Sequence, residues 1–105
     1  MLGQLKKINS DQFIGIMESL SDPIRINILE LMMSGEICVC DIVKVTGLSQ
    51  SKTSYHIKTL KYSGLISDRK EGRWVYYKLD LEVLSDIKNW MGNLIQSSSH
   101  KRTCK

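Results

Sequence analysis

Four residues in the middle of this 105-residue chain, Thr46-Gly47-Leu48-Ser49, constrain its fold more than any other stretch. Before them, Val39, Ile42, Val43 and Thr46 recur at three- and four-residue steps, which is the apolar stripe of a short helix over about 39–45. Thr46-Gly47-Leu48 reads as a turn, and Ser49 is a good N-cap for a second helix running to about Tyr62, closed by Ser63-Gly64. Two helices joined by so short a turn form a helix–turn–helix unit. The second helix has two unlike sides. Thr53, Ile57, Leu60 and Lys61 lie on one. Gln50, Ser51, Ser54, Tyr55 and Lys58 lie on the other, a polar and basic set able to hydrogen-bond base edges or phosphates.

The flanking segments complete a small domain. Phe13, Met17 and Leu20 share a helical face, with Ile14 and Ile16 beside it, after a start at Ser10-Asp11. Ser21-Asp22-Pro23 breaks that helix and opens another, because proline fits a first turn. This second helix carries Ile24, Ile28, Leu31 and Met32, widened by Ile26, Leu29 and Met33, and Gly35 ends it. So wide an apolar surface predicts the most buried element of the fold. Leu65 to Arg69 reads as a strand, Lys70-Glu71-Gly72-Arg73 as a turn, and Trp74 to Leu79 as the returning strand. Trp74, Tyr76 and Tyr77 divide between a core face and a wing surface. Asp80 opens a last helix with Leu84, Ile87, Met91 and Leu94 in a narrow seam, better suited to a dimer contact than to a core face. The predicted fold is mainly α with a small β-hairpin: a winged helix–turn–helix, homodimeric through its terminal helices. Residues 1–96 are assigned to this domain and 97–105 to a flexible basic tail.

Composition enters as exclusion. Hydrophobic residues are 42% and charged residues 25%, the balance of one ordinary globular domain. No apolar run approaches the roughly 18 residues that a membrane span requires. Lys6 and Lys7 are followed by no apolar stretch, so no secretory signal is read and the cytoplasm is the expected location. Three cysteines argue against a disulfide framework and for reduced thiols. The net charge of +4 is unevenly spread. Residues 11–41 hold Asp11, Glu18, Asp22, Glu30, Glu36 and Asp41 against Arg25. Residues 52–78 hold Lys52, Lys58, Lys61, Arg69, Lys70, Arg73 and Lys78 against Asp68 and Glu71. Such a basic half fits nucleic acid or a merely solvated face. An enzyme is not expected. Cys38-Val39-Cys40 lacks the spacing of thioredoxin-like motifs, and two histidines without clustered carboxylates make no hydrolase site.

The chain closely resembles the ArsR/SmtB family of metal-responsive bacterial repressors, from about Phe13 to Leu94. The resemblance is carried by Ser21-Asp22-Pro23-Ile24-Arg25 leading into Ile28-Leu29, and by Cys38-Val39-Cys40-Asp41. It continues in Ser49-Gln50-Ser51, Ser54, His56 and Leu60, then Gly64-Leu65-Ile66, Arg69-Lys70-Glu71-Gly72-Arg73 and Tyr76-Tyr77-Lys78-Leu79. It implies a homodimer that blocks double-stranded operator DNA until a soft metal or metalloid binds. The cysteine signature looks most like the arsenic/antimony sensors and the cadmium/lead branch.

On helical phase and on that resemblance, Gln50, Ser51, Ser54 and Tyr55 are the expected base readers. Lys52 and Lys58 are expected at phosphates, and Arg69, Lys70 and Arg73 at the backbone or adjacent minor groove. His56 is expected to pack or hydrogen-bond within the protein, and Arg25 to pair internally or reach a phosphate. Two recognition helices in a dimer read a pseudo-palindrome with half-sites about 34–36 Å apart, or a multiple of that.

Cys38, Cys40 and Cys104 are the candidate ligands for As(III) or Sb(III), with cadmium or lead as the alternative inducer and thiol oxidation or persulfide formation as a third. In an ideal helix Cys38 and Cys40 point about 200° apart. If both grip one ion, the helix start must unwind or bend, and that distortion would misplace the recognition helix. A helix N-terminus also favours the thiolate. Asp41 is expected to cap that helix rather than to ligate. The fullest arsenic-sensor pattern of the resembled family has a third cysteine where Val43 stands. Cys104, a small-molecule thiol or solvent remain as the third donor, and His100 with Cys104 offers a weaker second site. The family's zinc site on the last helix needs Asp and His. Asp86 is present, but Lys88 stands where the histidine belongs, so no zinc is expected there, and no organic cofactor.

Overall fold

The computed structural model describes residues 9–98. Among the described residues, five helices and three strands follow in the order α1 (Ser10–Ser19), α2 (Pro23–Leu31), β1 (Ile37–Cys38), α3 (Val39–Thr46), α4 (Gln50–Ser63), β2 (Ile66–Glu71), β3 (Trp74–Leu79) and α5 (Leu81–Ser98), with a 3-10 turn at Met32–Ser34 after α2. This is a winged helix–turn–helix, mostly helical with a small antiparallel sheet. The sheet has three strands in the order β1-β3-β2, where a two-stranded hairpin was expected. Two residues suffice for β1, too few to leave a sequence signal. No helix among the described residues is long and apolar enough to cross a membrane.

Side-chain caps set the helix boundaries. Asn9, one residue before the expected start, accepts from the Gln12 N–H at 2.7 Å and opens α1. Asp22 opens α2 by accepting from Ile24 N–H at 2.8 Å and Arg25 N–H at 3.3 Å. Desolvation raises the Asp22 pKa, but those two N–H groups and the Arg25 charge outweigh it and leave the carboxyl below its ordinary value. Ser49 caps α4 through the Lys52 N–H at 3.2 Å. Gly47 and Gly64, at φ 72° and 93°, end α3 and α4 in the left-handed conformation that glycine adopts without a Cβ clash.

The core corrects the expectation for α2. That helix buries Ile28 alone, and Met32 follows it, while Ile26 and Met33 face outward. A helix buries one face, and seven apolar residues on α2 and its extension cannot share it. The most buried element is α4, which contributes Thr53, His56, Ile57, Leu60 and Ser63. Lys61, on the same side of α4, is exposed and donates to Asp68 at 2.7 Å. Ile16, Ile42, Leu65, Ile66 and Ile87 complete the cluster.

On α5 the expected seam divides. Leu84 and Ile87 pack on this core, whereas Met91, Leu94 and Ile95 stay exposed, as does Ile14 of α1. Phe13 of α1 and Trp90 of α5 meet with ring centroids 4.6 Å apart at an interplanar angle of 56°, a contact that joins the two terminal helices. Two residues assigned to the tail, Ser97 and Ser98, are helical. The other tail residues, His100 and Cys104 among them, lie outside the described residues.

Candidate nucleic-acid interface and cysteine site

The α4 surface opposite its buried face is the first candidate site. Gln50, Ser51, Lys52, Tyr55 and Lys58 are exposed, and Ser54 is half-buried. Ser54 lines a small hollow of about 360 Å³ with Val39, Ile57 and Tyr77. Tyr55 and Lys58 edge an open groove against α1 that also includes Arg25 and Tyr62. Tyr62 is 95% exposed and was missed, although it continues the row Ser51, Tyr55, Lys58 at helical spacing. His56 is buried, and its Nδ1 accepts from Arg25 Nη1 at 3.2 Å. Arg25 also donates from Nε to the Ser19 carbonyl at 2.8 Å. Both residues thus serve the interior.

The wing separates its cations. Gly72, at φ 61°, and Arg73 form the two-residue turn, with Glu71 paired to Trp74. Lys70 and Arg73 are exposed. Arg69, expected at DNA, is committed within the chain. It donates to Glu36 from Nε and Nη2 at 2.9 Å each, and to Glu71 from Nη1 at 2.9 Å. Its carbon centre sits 4.9 Å from the Tyr76 ring centroid. The two carboxylates raise the Arg69 pKa, and the Arg69 hydrogen bond holds the Glu36 carboxyl below its ordinary range. The missed partner, Glu36, is remote in sequence and is brought close by β1.

The cysteine pair lies where β1 becomes α3. Cys38 is the N-cap of α3 in extended conformation (φ −100°, ψ 166°), and Cys40 is in the first turn. Their Cα atoms are 5.4 Å apart and the two sulfurs are joined as a disulfide. This corrects two expectations. The two thiols are joined rather than reduced, and α3 need not unwind for the sulfurs to meet. The 200° separation assumed two helical residues, but an extended N-cap turns its side chain back over the first turn. Cys38 is 8% exposed, whereas Cys40 is open to solvent. Asp41 Oδ2 accepts from the Cys38 N–H at 3.4 Å, which closes the cap as expected. The same oxygen lies 3.3 Å from Cys38 Sγ, and the two sulfurs and this carboxylate fall within 4.8 Å of one another. On α5, Asp86 is buried with Oδ2 unpartnered, and Lys88 is exposed.

Known proteins share this sequence and fold. Residues 22–68 match the family described as bacterial regulatory protein, arsR family. The transcriptional repressor SdpR of Bacillus subtilis (strain 168) is 35% identical over 85 residues, 81% of this chain and 94% of that protein. The arsenical resistance operon repressor of Staphylococcus aureus is 37% identical over 90 residues, 86% of each chain. A cadmium resistance transcriptional regulatory protein CadC homolog, also from Staphylococcus aureus, is 38% identical over 84 residues, 79% of this chain and 69% of that one. Among solved structures, an ArsR family transcriptional regulator superposes with a TM-score of 0.79 at 23% identity, covering 90% of this chain and 97% of its own, a likeness of fold. A homodimeric winged helix–turn–helix DNA-binding domain from Mycobacterium bovis superposes with a TM-score of 0.65 at 27% identity, over 89% of each chain. A helix–turn–helix with a sheet wing, and relatives that are regulators rather than enzymes, lead to one assignment: the chain belongs to the ArsR family of bacterial transcriptional regulators.

Proposed function

We propose that the chain is a homodimeric repressor of its own operator, released when Cys38 and Cys40 of the reduced protein capture one thiophilic ion. The observation that carries this reading is the meeting of both sulfurs at the α3 N-terminus, next to the helix pair that would hold DNA. Gln50, Ser51, Ser54 and Tyr55 read bases in the major groove. Lys52 and Lys58 hold phosphates beside them, and Lys70 and Arg73 hold the backbone near the wing. The apolar surface of Phe13, Ile14, Met91, Leu94 and Ile95 joins two copies through α1 and α5.

The inducer is assigned to As(III) or Sb(III), in line with the relatives named as arsenical repressors. Cys38 and Cys40 supply two sulfurs, and a third comes from Cys104 or a solution thiol. A second reading has its own observation. The Asp41 carboxylate beside the sulfurs offers the mixed sulfur–oxygen set that cadmium or lead accepts. A third reading, supported by the pairing of the two sulfurs, is that oxidation of the thiols competes with ion capture.

The experiment is a titration of the reduced protein on a duplex selected from random sequence by the protein itself. Arsenite at a few equivalents releases the duplex on the first reading, with X-ray absorption reporting three sulfurs around arsenic. Release by cadmium alone supports the second. If neither ion acts on the reduced protein but peroxide does, ion sensing is wrong.

A further inference from the structure

One row of residues crosses the whole sheet. Cys38 of β1 lies opposite Tyr76 of β3, and Tyr76 lies opposite Arg69 of β2. Members of such a row share one face of the sheet. The Arg69 guanidinium then turns back over the Tyr76 ring and takes both carboxylate oxygens of Glu36, with Nε 2.9 Å from Oε2 and Nη2 2.9 Å from Oε1. Glu36 stands two residues before Cys38. Glu36 immediately precedes the two-residue strand β1, so a displacement of that strand carries Glu36 with it. The circuit therefore starts and ends on the cysteine segment, and its far point is the wing.

The geometry bears on how an event at Cys38 reaches DNA. Bending of α3 is not needed to bring the sulfurs together, because Cys38 precedes the helix. What Cys38 does share is a strand pairing with β3 and, through Glu36, a forked contact with β2. An exposed ion pair by itself contributes little. Here the fork is two-toothed, stacked on a ring and braced by Glu71, so it fixes direction as well as distance. Arg69 also has a second use open to it, since a guanidinium released from Glu36 no longer positions the hairpin that carries Lys70 and Arg73.

We propose that Glu36 is a positioning residue for DNA release: its grip on Arg69, intact while the two sulfurs are bonded directly, holds the wing in the DNA-competent pose, and an ion inserted between Cys38 and Cys40, which spreads the sulfurs apart, withdraws the carboxylate and lets the wing go. This rests on the ion-capture reading above. The two sites are then coupled through a two-position element, Arg69 on Glu36 or off it, which both ligands bias in opposite directions.

The test uses the full chain, reduced, with arsenite and cadmium chloride as probes and the protein-selected duplex labelled for fluorescence anisotropy. The quantity read is the coupling factor, the duplex Kd with the ion divided by the Kd without it. Glu36→Gln is expected to cut that factor by about fivefold or more, within the usual range of such couplings, while ion affinity without DNA stays equal to wild type or tightens. The exchanged pair Glu36→Arg with Arg69→Glu is expected to restore the factor, which a general loss of folding cannot do. A Glu36→Gln factor equal to the wild-type factor overturns the proposal while leaving ion capture intact. A wild-type chain that holds its duplex against both ions refutes ion capture, and the Glu36 proposal falls with it.

Discussion

The open face of α4 and the wing both carry cations, but they use them differently. Among the described residues, Lys52 and Lys58 of α4 and Arg73 at the wing tip make no ion pair, whereas Arg69 has two carboxylates. Lys61, one turn beyond the open face of α4, is likewise paired with Asp68. A phosphate contact gains by releasing counterions, and a guanidinium already neutralised by carboxylates has few to release. The comparison therefore sorts the basic residues of residues 52–78. Lys52, Lys58, Lys70 and Arg73 are open to a polyanion, whereas Lys61 ties α4 to the wing and Arg69 ties the wing to Glu36, just before β1.

Charge reversal at Lys58 tests the open face and carries the largest expected effect. Lys58→Glu exchanges a phosphate contact for a repulsion in both halves of a dimer. Duplex affinity is expected to fall by about a hundredfold at physiological salt, with secondary structure by circular dichroism unchanged. A fall of less than threefold would place DNA elsewhere on the molecule.

The wing allows a sharper contrast between two arginines four residues apart. Arg73→Ala is expected to weaken the duplex several-fold and to lower the slope of log K against log salt by about two, one for each half of the dimer. Arg69→Ala, whose own charge is spent on Glu36 and Glu71, is expected to act only through the wing it positions, so added to a Lys70→Ala, Arg73→Ala background it leaves the slope unaltered. A further fall in slope in that background would show that Arg69 leaves its carboxylates to join the phosphates.

Much of this organisation was legible from residue order. Ser49, Gly47 and Gly64 mark the bounds of the recognition helix because caps and left-handed turns depend on local chemistry. Gly72 marks the wing turn for the same reason. What the sequence hid was every contact made through β1. A two-residue strand has no periodicity, so Cys38 was read as a helical residue and its sulfur was turned away from Cys40. Arg69 was read as a phosphate ligand because Glu36, 33 positions earlier, meets it only once β1 pairs with β3. The breadth of the α2 apolar surface misled in another way. Ile26 and Met33 have the composition of core residues but the wrong helical phase for the one face that is covered. The expected pairing of two chains through the terminal helices rested on the α5 seam, and the exposed Ile14 of α1 now stands beside the exposed Met91, Leu94 and Ile95 of α5 as material for the proposed contact.

The smallest effect concerns the other tether, Lys61 to Asp68, which ties the end of α4 to the start of the wing. The Lys61 hydrogen bond is the main cause that lowers the Asp68 pKa, with the Lys61 charge adding to it against desolvation. A carboxyl whose folded pKa lies below its unfolded value binds its proton more weakly when folded. Its stabilising contribution is therefore complete above the unfolded value, about pH 4 for an aspartate, and is lost as pH falls from there through the folded value. The pair's partner behaves oppositely: the Asp68 hydrogen bond raises the Lys61 pKa, so that contribution is complete below the ordinary lysine value and fades as pH rises through the higher folded one. Between these limits the tether is indifferent to pH. Carboxyl-carbon NMR titration of Asp68 is the direct measurement, with a midpoint expected below the ordinary aspartate value in the wild type and moved upward in Lys61→Met. An unmoved midpoint would mean that the Asp68 backbone N–H and Lys70, the weaker influences on this carboxyl, set its acidity, and that α4 and the wing are joined only through the core.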